Sequence, residues 1–439
     1  MTDSEVGRLK DTVRLMEHAG HTHDHDHADA HEARSHSAST LTLISLAHGI
    51  NHAQSALKPL VFPLVLRELN FGYSELGIML GVAAAVGGIL QLFAGALGRL
   101  FPRHLILGIG NASVGICFVF VGLAQSYLQF FSWTVLSRVG GAAQHPVGSS
   151  LLSHHFQKKK LGTALATHFT AGNIGTAAIP LCAAILIGLW GWRATTILFA
   201  VPAILVGITM CIWLKDPGRK RTVEGTETSS FWQDSGAAIG NRNLRWILIA
   251  AVVAAGGSGH GIITSFLPLY LNHDLGMEAT AVGVIFTLMN VGGIVGPLVC
   301  GKLADRYPPQ RILLASYLAA AATTLLLPWL GANFIAVAAA ATMLGVTAFG
   351  THPILQTLVA QTTSDRLRDT AFAWFYTATF VAGALWSPAV GYLSEWLGLK
   401  AAFGAMAVSF LAAILCIVGG RFHEVPRIEE DSGEVMQHG

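Results

Sequence analysis

Charge is scarce in this sequence. Only 12% of its 439 residues are charged, whereas 52% are hydrophobic, and a soluble domain usually has about 25% charged residues. The charges lie mostly in short clusters between long apolar runs, each of about 20 residues or more, which is the length that a helix needs to cross a hydrocarbon core of about 30 Å. The composition therefore predicts a polytopic helical membrane protein, and we find no basic or aromatic nucleic-acid-binding module.

Cysteine motifs and an N-terminal apolar segment are also lacking. The five cysteines form neither a CxxC pair nor the pattern of a secreted disulfide framework, and we interpret them as small buried apolar residues within the spans. They are Cys117, Cys182, Cys211, Cys300 and Cys416. The first forty residues are polar, so we expect no cleavable signal peptide.

The apolar runs, read against the residues that break helices, predict twelve membrane-spanning helices. They lie near 42–66, 74–98, 104–123, 127–152, 161–187, 193–214, 245–271, 279–303, 311–330, 333–360, 369–393 and 400–420. One long polar stretch separates the first six from the last six. We therefore predict a disordered cytoplasmic tail rich in histidine (1–40), an N-terminal six-helix half (41–214), a cytoplasmic linker (215–244), a C-terminal six-helix half (245–421) and a cytoplasmic C-terminal tail (422–439).

Lys and Arg lie in alternate connections between the predicted spans. Cytoplasmic loops carry the excess of these residues in membrane proteins. The pattern therefore predicts that both termini are cytoplasmic, in a multi-pass protein of a bacterial inner (plasma) membrane. Besides the central linker, the basic connections contain Arg99 and Arg103, Lys158–Lys160, Lys302 with Arg306 and Arg311, and Arg366 with Arg368.

The two halves repeat each other. The segment GGAAQHPVGSSLL (140–152) in the fourth span matches TAFGTHPILQTLV (347–359) in the tenth. Likewise GALGRLFPRHLIL (95–107), after the second span, matches GKLADRYPPQRIL (301–313), after the eighth. Parallel repeats related by an axis along the membrane normal are found in transporters. We predict an all-α fold of two six-helix halves related by a pseudo-twofold axis.

These features resemble the major facilitator superfamily over nearly all of the chain after residue 40. Gly301-Lys302-Leu303-Ala304-Asp305-Arg306, followed by Arg311, is similar to the superfamily's loop signature, and RVGGAA (138–143) is similar to its fourth-helix motif. The resemblance implies a transporter working by alternating access, with spans one, four, seven and ten around a central cavity. It also implies that Asp305 and Arg306 form ion pairs between the halves that close the cytoplasmic side. We expect a monomer that needs no cofactor.

A narrower resemblance is to the fosmidomycin-resistance branch of these exporters. The residues that carry it are His48-Gly-Ile-Asn51, His145-Pro146, Lys158–Lys160, and Gly172-Asn173-Ile174-Gly175 with the later Pro180. This branch usually has Asp after the Asn of span one and Glu after the Pro of span four, where this chain has His52 and Val147. The resemblance implies a proton-coupled exporter of a small, anionic, drug-like solute. It also implies that Gly172, Gly175 and Pro180 belong to a flexible, closely packed segment of span five.

Polar residues within the spans are the candidates for the substrate and proton pathway, because ionisable residues at that depth normally face a protein interior or a cavity. We find no Asp or Glu deep in any span, and we take the ionisable residues there to be one arginine and six histidines. His48 and His52, at i and i+4, share one helical face. The candidates are His48, Asn51, His52, Arg138, His145, His168, Asn173, His260 and His352.

Three chemistries fit these histidines. They titrate near neutral pH and can carry a proton, they can attract an anion together with Arg138, or they can bind Zn, Ni, Co or Cu when neutral. Alternatively, each histidine hydrogen-bonds a neighbouring helix, and in the two His-Pro positions this repairs a kink.

The N-terminal tail is separate evidence. Its segment HTHDHDHADAH alternates histidine with small or acidic residues, a composition typical of metal binding. The predicted ligands are His21, His23, His25, His27 and His31.

The sequence thus predicts a transporter, with three alternatives for its function. The first is a proton-coupled exporter of a small anionic solute, and the second is an exporter of divalent transition metals. The third is a membrane metal sensor that does not transport. An enzyme is not expected, because no set of nucleophile, base and orienting residue stands out.

Overall fold

The computed structural model describes residues 37–156, 158–214, 216, 231–257, 261–364 and 367–420. The histidine-rich segment 21–31, the predicted C-terminal tail and half of the predicted linker lie outside these residues. Every regular element within the described ranges is helical.

The first half contains six helices. Helices α4 and α5 together occupy the predicted fourth span, with an interruption at residues 142–143. Pro146 lies in the first turn of α5, where its missing N–H costs no helical hydrogen bond. The helices are α1 (37–68), α2 (Tyr73–Leu100), α3 (Arg103–Leu123), α4 (Tyr127–Gly141), α5 (Gln144–His155) and α6 (Lys158–Trp213).

Seven further α-helices follow in the described residues of the rest of the chain. They are α7 (Phe231–Gly240), α8 (Arg242–Ala254), α9 (Ile262–Leu269), α10 (Ala279–Arg306), α11 (Pro309–Leu326), α12 (Phe334–Thr362) and α13 (Arg368–Gly419). Helix α7 falls inside the stretch that the sequence predicts as a linker. The predicted seventh span is composite, because α8 and α9 are separate helices with a short 3-10 turn after α8 and a π turn after α9.

The described helices account for twelve membrane crossings. Eight helical segments are long and apolar enough to span a membrane. Two of these eight, Thr163–Trp213 and Thr370–Gly419, are long enough for two crossings at about 1.5 Å per residue. Each changes direction at a glycine with positive φ, Gly191 (75°) in α6 and Gly398 (82°) in α13. Helix α1 and the α4–α5 pair complete the twelve, so the predicted fold is confirmed.

The repeat seen in the sequence extends to the helix ends. A separation of 207 residues relates His145 to His352, and the same separation relates Gly191 to Gly398. It also relates the residues that cap α4 and α12. The Ser126 hydroxyl accepts a hydrogen bond from the backbone N–H three residues on, and the Asn333 side chain does the same. The duplication therefore includes the local hydrogen bonds that start equivalent helices.

The two halves meet along helices that approach backbone to backbone. Helix α2 packs on the first part of α13, and α6 packs on α10. A Cβ on Gly81 of α2 would lie 2.7 Å from the carbonyl oxygen of Ala384, closer than such atoms can approach. Small residues at helix interfaces permit this close packing in lipid. The contact between α2 and α13 therefore depends on glycine.

One end of the bundle, which we call the gate end, is bridged between the halves. The backbone N–H of Tyr73 donates to Glu395 Oε2 at 2.6 Å. His273 Nε2 donates to the carbonyl oxygen of Pro63 at 3.1 Å, and its Nδ1 accepts from the Tyr73 hydroxyl at 2.9 Å. Since Tyr73 and Pro63 belong to the first half and the other two to the second, these bonds tie the halves together.

The opposite end we call the open end. Gly88 in the middle of α2 packs against Phe380 of α13, whereas Phe93 and Leu100 towards the open end of α2 are 64% and 70% exposed. Asp305 is also exposed. Within the described residues no ion pair involves Asp305 or its neighbour Arg306. The described part of the chain therefore does not contain the inter-half ion pairs implied by the family resemblance.

Candidate functional site

A cavity of about 170 Å³ lies where the two halves begin to part. Its walls come from α1, α2, α3, α4 and α5, and Phe380 of α13 contributes the one lining residue from the second half among those the structure describes. The charged and histidine side chains in the lining are Lys58, Arg138, His48, His52 and His145.

Lys58 is a cavity residue that our sequence analysis missed. Its Nζ lies 3.4 Å from the Ser137 hydroxyl and 5.1 Å from the centroid of the Phe118 ring, and the side chain is half-buried. The statement that the ionisable residues at depth are one arginine and histidines is therefore wrong. The signal was available, because Lys58 stands inside the first predicted span, 42–66. A single lysine does not prevent an apolar run from being recognised as a span. Hydropathy therefore identifies the span without pointing to Lys58.

Arg138, which the sequence did predict, lines the same cavity as Lys58. Gly87 of α2 faces it, and a Cβ on Gly87 would lie 3.4 Å from Arg138 Nε, so the glycine leaves room for the guanidinium. None of the described residues that line the cavity is Asp or Glu. Lys58 and Arg138 thus share one cavity without a lining carboxylate. Cations of this kind bind carboxylates and phosphates through charge-assisted hydrogen bonds.

A chain of side-chain amides holds the wall beside these cations. Asn51 Nδ2 donates to Asn111 Oδ1 at 2.6 Å, and Asn111 Nδ2 donates to Gln144 Oε1 at 3.0 Å. The chain connects α1, α3 and α5. Asn51 was predicted, whereas Asn111 and Gln144 were missed, although each is a polar residue within an apolar run. Because these amides are partnered, they position the cavity wall.

Four of the predicted histidines form one cluster, which we call the imidazole cluster: His48, His52, His145 and His168. The ring centroid of His48 lies 4.5 Å from that of His52, 5.0 Å from that of His145 and 4.1 Å from that of His168. His168 is fully buried and stacks on His48, and it is absent from the cavity lining. The sequence predicted these residues, but their assembly through α6 appears only in the structure.

Close packing of α6 on α1 assembles the cluster. A Cβ on Gly49 would lie 3.0 Å from the Ala171 carbonyl oxygen, and a Cβ on Gly172 would lie 2.6 Å from His48 Cε1. The His48 ring therefore occupies the space that a side chain at position 172 would fill. Gly175, one turn further on, packs against the α1 backbone at Gly49, and Pro180 is buried within the continuous helix α6. In the predicted flexible segment, Gly172 and Gly175 thus allow α6 to pack closely on α1.

Two other predicted pathway residues lie elsewhere. His352 is on α12 beside Phe375 and Tyr376, with ring centroids 5.3 and 6.4 Å away. It is absent from the cavity lining. Asn173 has an exposed side chain and is also absent from the lining. The structure therefore does not bring these two residues to the cluster. The remaining candidate, His260, lies outside the described residues.

At the gate end, Glu68 holds two residues of the turn in α6. The Trp192 indole N–H donates to Glu68 Oε2 at 2.5 Å, and Arg193 Nε donates to Oε1 at 2.9 Å. Arg193 also donates to the carbonyl oxygen of Ala124 at 2.6 Å. Glu68 lies beyond the apolar span, and the hydrogen bond from Trp192 lowers the pKa of its carboxyl, helped by Arg193.

Comparison with known proteins identifies the family. The profile of the Major Facilitator Superfamily matches residues 44–331 and 257–437. The chain belongs to this superfamily. The superfamily and most of the relatives described below are transporters and not enzymes, so this major facilitator protein is a multi-pass membrane transporter. The predicted fosmidomycin-resistance branch is not singled out by these matches and stays a prediction.

Three curated relatives are similar over much of the chain. The membrane sensor protein UhpC of Escherichia coli (strain K12) is 23% identical over 76% of this chain and 81% of its own length. The multidrug resistance protein MdtG of Yersinia enterocolitica is 24% identical over 80% and 85%. The cis,cis-muconate transport protein of Acinetobacter baylyi is 28% identical over 55% and 60%.

Two solved structures share the fold. A bacterial homologue of the human lysosomal transporter Spinster, in an inward-facing and unoccupied conformation, superposes with a TM-score of 0.69 at 16% identity, covering 88% of this chain and 96% of the other. The nucleoside transporter NupG superposes with a TM-score of 0.73 at 11% identity, covering 88% and 100%. At these identities the likeness concerns the fold alone.

Proposed function

We propose that this major facilitator protein exports a small organic anion, a carboxylate or a phosphate ester, by proton-coupled alternating access. The observation that carries the proposal is the pairing of Lys58 and Arg138 in a cavity whose described lining has no Asp or Glu. A cavity with two such cations attracts negative charge and disfavours an organic cation, for which this lining has no ligand that offsets the repulsion. Binding would bring the anion between the two side chains, where it forms charge-assisted hydrogen bonds with both.

The names of several relatives support an anionic substrate. They include a cis,cis-muconate transport protein, a 4-hydroxybenzoate transporter and a probable hexose phosphate transport protein. The first two of these compounds are carboxylates and the third is a phosphate ester. We take this shared chemistry, and none of the individual compounds, as the proposed substrate class.

The charge distribution supports an orientation. The basic residues Arg103, Lys302 and Arg311 follow α2 or α10 at the open end, and cytoplasmic loops carry such an excess. We therefore propose that the open end faces the cytoplasm and that this conformation loads its substrate from there. The ion pairs expected of Asp305 and Arg306 would form in the opposite, outward-open state.

The imidazole cluster supports proton coupling in this half. With no carboxylate in the described lining, the imidazoles are cavity side chains whose neutral form can take up a proton. We propose that protonation of this cluster accompanies the return step, after the anion has left.

Flux measurements in proteoliposomes test the proposal. Radiolabelled cis,cis-muconate, 4-hydroxybenzoate and glucose 6-phosphate serve as probes, with a neutral nucleoside and a quaternary ammonium compound as comparisons. We expect accumulation of at least one anion that depends on an imposed pH gradient and disappears in Arg138→Gln. The matched control, Arg245→Gln, changes an exposed basic residue of α8 outside the cavity and should retain flux. Selective flux of the ammonium compound, or anion flux that ignores the pH gradient, would contradict the proposal.

The sensor alternative has one supporting observation, the similarity to UhpC, which is named a membrane sensor. It predicts that the purified protein binds an anion in the cavity but gives no net flux in the same proteoliposomes. The metal-exporter alternative has no support from the names of the relatives.

A further inference from the structure

We propose that His48, His52 and His145 form a binding site for a divalent transition-metal ion of the Zn, Ni, Co or Cu class. One ring nitrogen from each of the three residues can be chosen so that all lie within 4.8 Å of one another. His48 and His52 are one turn apart on α1, and His145 projects from the first turn of α5. All three line the cavity, so the site is accessible from it. The inference goes beyond anion transport and does not depend on it.

The hydrogen bonds of His48 determine which of its nitrogens is a ligand. His48 Nδ1 lies 2.8 Å from the backbone carbonyl oxygen of His168. A carbonyl oxygen can only accept, so Nδ1 carries the hydrogen and Nε2 of the neutral ring keeps its lone pair. This Nε2 is buried and has no hydrogen-bond partner within the described part of the chain. Buried polar atoms are normally partnered, and a metal ion would satisfy this one.

His52 is oriented in the same way. Its Nδ1 lies 2.9 Å from the Thr176 hydroxyl oxygen, and that hydroxyl donates its own hydrogen to the Gly172 carbonyl oxygen at 3.1 Å. The Thr176 oxygen therefore accepts from His52 Nδ1, which leaves Nε2 as the lone-pair nitrogen. Metal-binding histidines almost always donate their other ring N–H to a carbonyl, carboxylate or water. Both residues on α1 thus show the orientation of metal ligands.

The donor set favours particular metals. Imidazole nitrogens suit Zn, Cu, Ni and Co, whereas Mg and Ca prefer oxygen ligands. Three protein ligands leave an open fourth position in a tetrahedral site. Lys58 and Arg138 line the same cavity. We therefore expect an anion or hydroxide to occupy the fourth coordination position.

Packing alone does not explain the cluster. His168, which stacks on His48, has both ring nitrogens buried and unpartnered among the described residues. A cluster retained only for hydrogen bonding between helices would satisfy such atoms. The histidine-rich segment 21–31 is a second, independent feature of the sequence whose composition is typical of metal binding.

Direct metal titration tests the site. The full-length protein is purified with His21, His23, His25, His27 and His31 changed to Asn in every variant, so that the tail does not contribute. Co²⁺ is then added, and its visible absorption reports the number of nitrogen ligands and the geometry, with Zn²⁺ used as a competitor. We expect one Co²⁺ per chain in a four-coordinate environment, and at least tenfold weaker binding in His52→Ala and in His145→Gln.

Two further variants make the test specific. His352→Gln changes the equivalent histidine of the second half, which lies outside the cavity, and should bind Co²⁺ as the parent protein does. Thr176→Val removes the acceptor of His52 and should weaken binding by about 10- to 100-fold, as loss of such supporting contacts typically does. Thermal unfolding without metal verifies that each variant is folded.

Two results would overturn the inference. One is the absence of stoichiometric Co²⁺ binding at micromolar concentration in the parent protein, and the other is unchanged binding in folded His52→Ala and His145→Gln. Failure here is distinguishable from failure of the anion proposal, because anion flux is measured separately without added metal. Lys58→Met should weaken anion flux and leave one bound Co²⁺.

Discussion

Replacing Lys58 with methionine should separate binding from stability. Methionine has a similar length and no charge, so the substitution removes the cation and largely conserves the volume. A hydrogen bond to a charged group contributes about 1.5–3 kcal/mol, and each 1.4 kcal/mol corresponds to about a tenfold change in affinity. We therefore expect the Kd for the transported anion to rise by about 10- to 100-fold in Lys58→Met.

The same substitution should not destabilise the protein. Within the described residues Lys58 has a hydroxyl and an aromatic ring as its neighbours and forms no ion pair. Losing the ring contact costs about 0.5–2 kcal/mol, whereas removing a desolvated cation relieves a penalty of several kcal/mol. The unliganded thermal unfolding temperature should consequently stay the same or rise. This opposition between affinity and stability distinguishes a binding residue from a structural one.

The assay is ligand binding by calorimetry and unliganded thermal unfolding, both in detergent. Lys400→Met is the matched control, since Lys400 lies over the Trp329 ring at 5.8 Å and outside the cavity. It should bind the anion normally. The reasoning is refuted if Lys58→Met binds the anion as the wild type does, or if it unfolds at a clearly lower temperature than the Lys400 variant.

Three other predictions concern the ends of the bundle. Gly81→Val should push α2 away from the Ala384 carbonyl at a cost of about 1–3 kcal/mol, and spin-label distances across the gate end should lengthen, whereas an unchanged distribution would mean that α2 and α13 tolerate the side chain. Asp305→Asn should increase the population of the conformation described here, because the ion pairs of Asp305 are expected only in the other state; cysteine accessibility at the open end measures this, and a shift the other way would contradict it. The third prediction concerns Glu68, whose carboxyl pKa is lowered. Its ionised form stabilises the protein above the ordinary carboxyl pKa, and this stability is lost as the pH falls through the lowered value. The fall in unfolding temperature at acid pH should therefore be smaller in Glu68→Gln. Since this pair is partly exposed, the difference should be about 1 kcal/mol or less, and identical acid profiles would show that the contact with Trp192 is not populated in solution.

Much of the fold was predictable because lipid imposes a simple rule. A crossing helix needs about 20 apolar residues, so the runs and their breakers located the twelve crossings to within a few residues. The turns at Gly191 and Gly398 lie between predicted spans. The interruption of the fourth span at residues 142–143 was not predicted, because Ala142 and Ala143 continue the apolar run and alanine strongly favours a helix.

The cavity was predictable only in part. His48 and His52 were found because ionisable residues at depth are rare, but the same rule was not applied to Lys58. The contact of His48 with His168 depends on the rotation of α6 about its axis and on its close approach at Gly172. Hydropathy does not specify either quantity. Similarly, the sequence repeat suggested equal contributions from His145 and His352, whereas the two halves differ in what packs against these residues.

The cavity draws its charged and hydrogen-bonding groups from the first half, and Phe380 is the second half's contribution among the described lining residues. Under the proposed function, the first half would recognise the solute and the second half would mainly close over it. Selectivity should then be transferable by exchanging α1, α4 and α5 between relatives with the second half left intact. Conversely, substitutions in α13 should alter the rate of cycling more than the choice of solute.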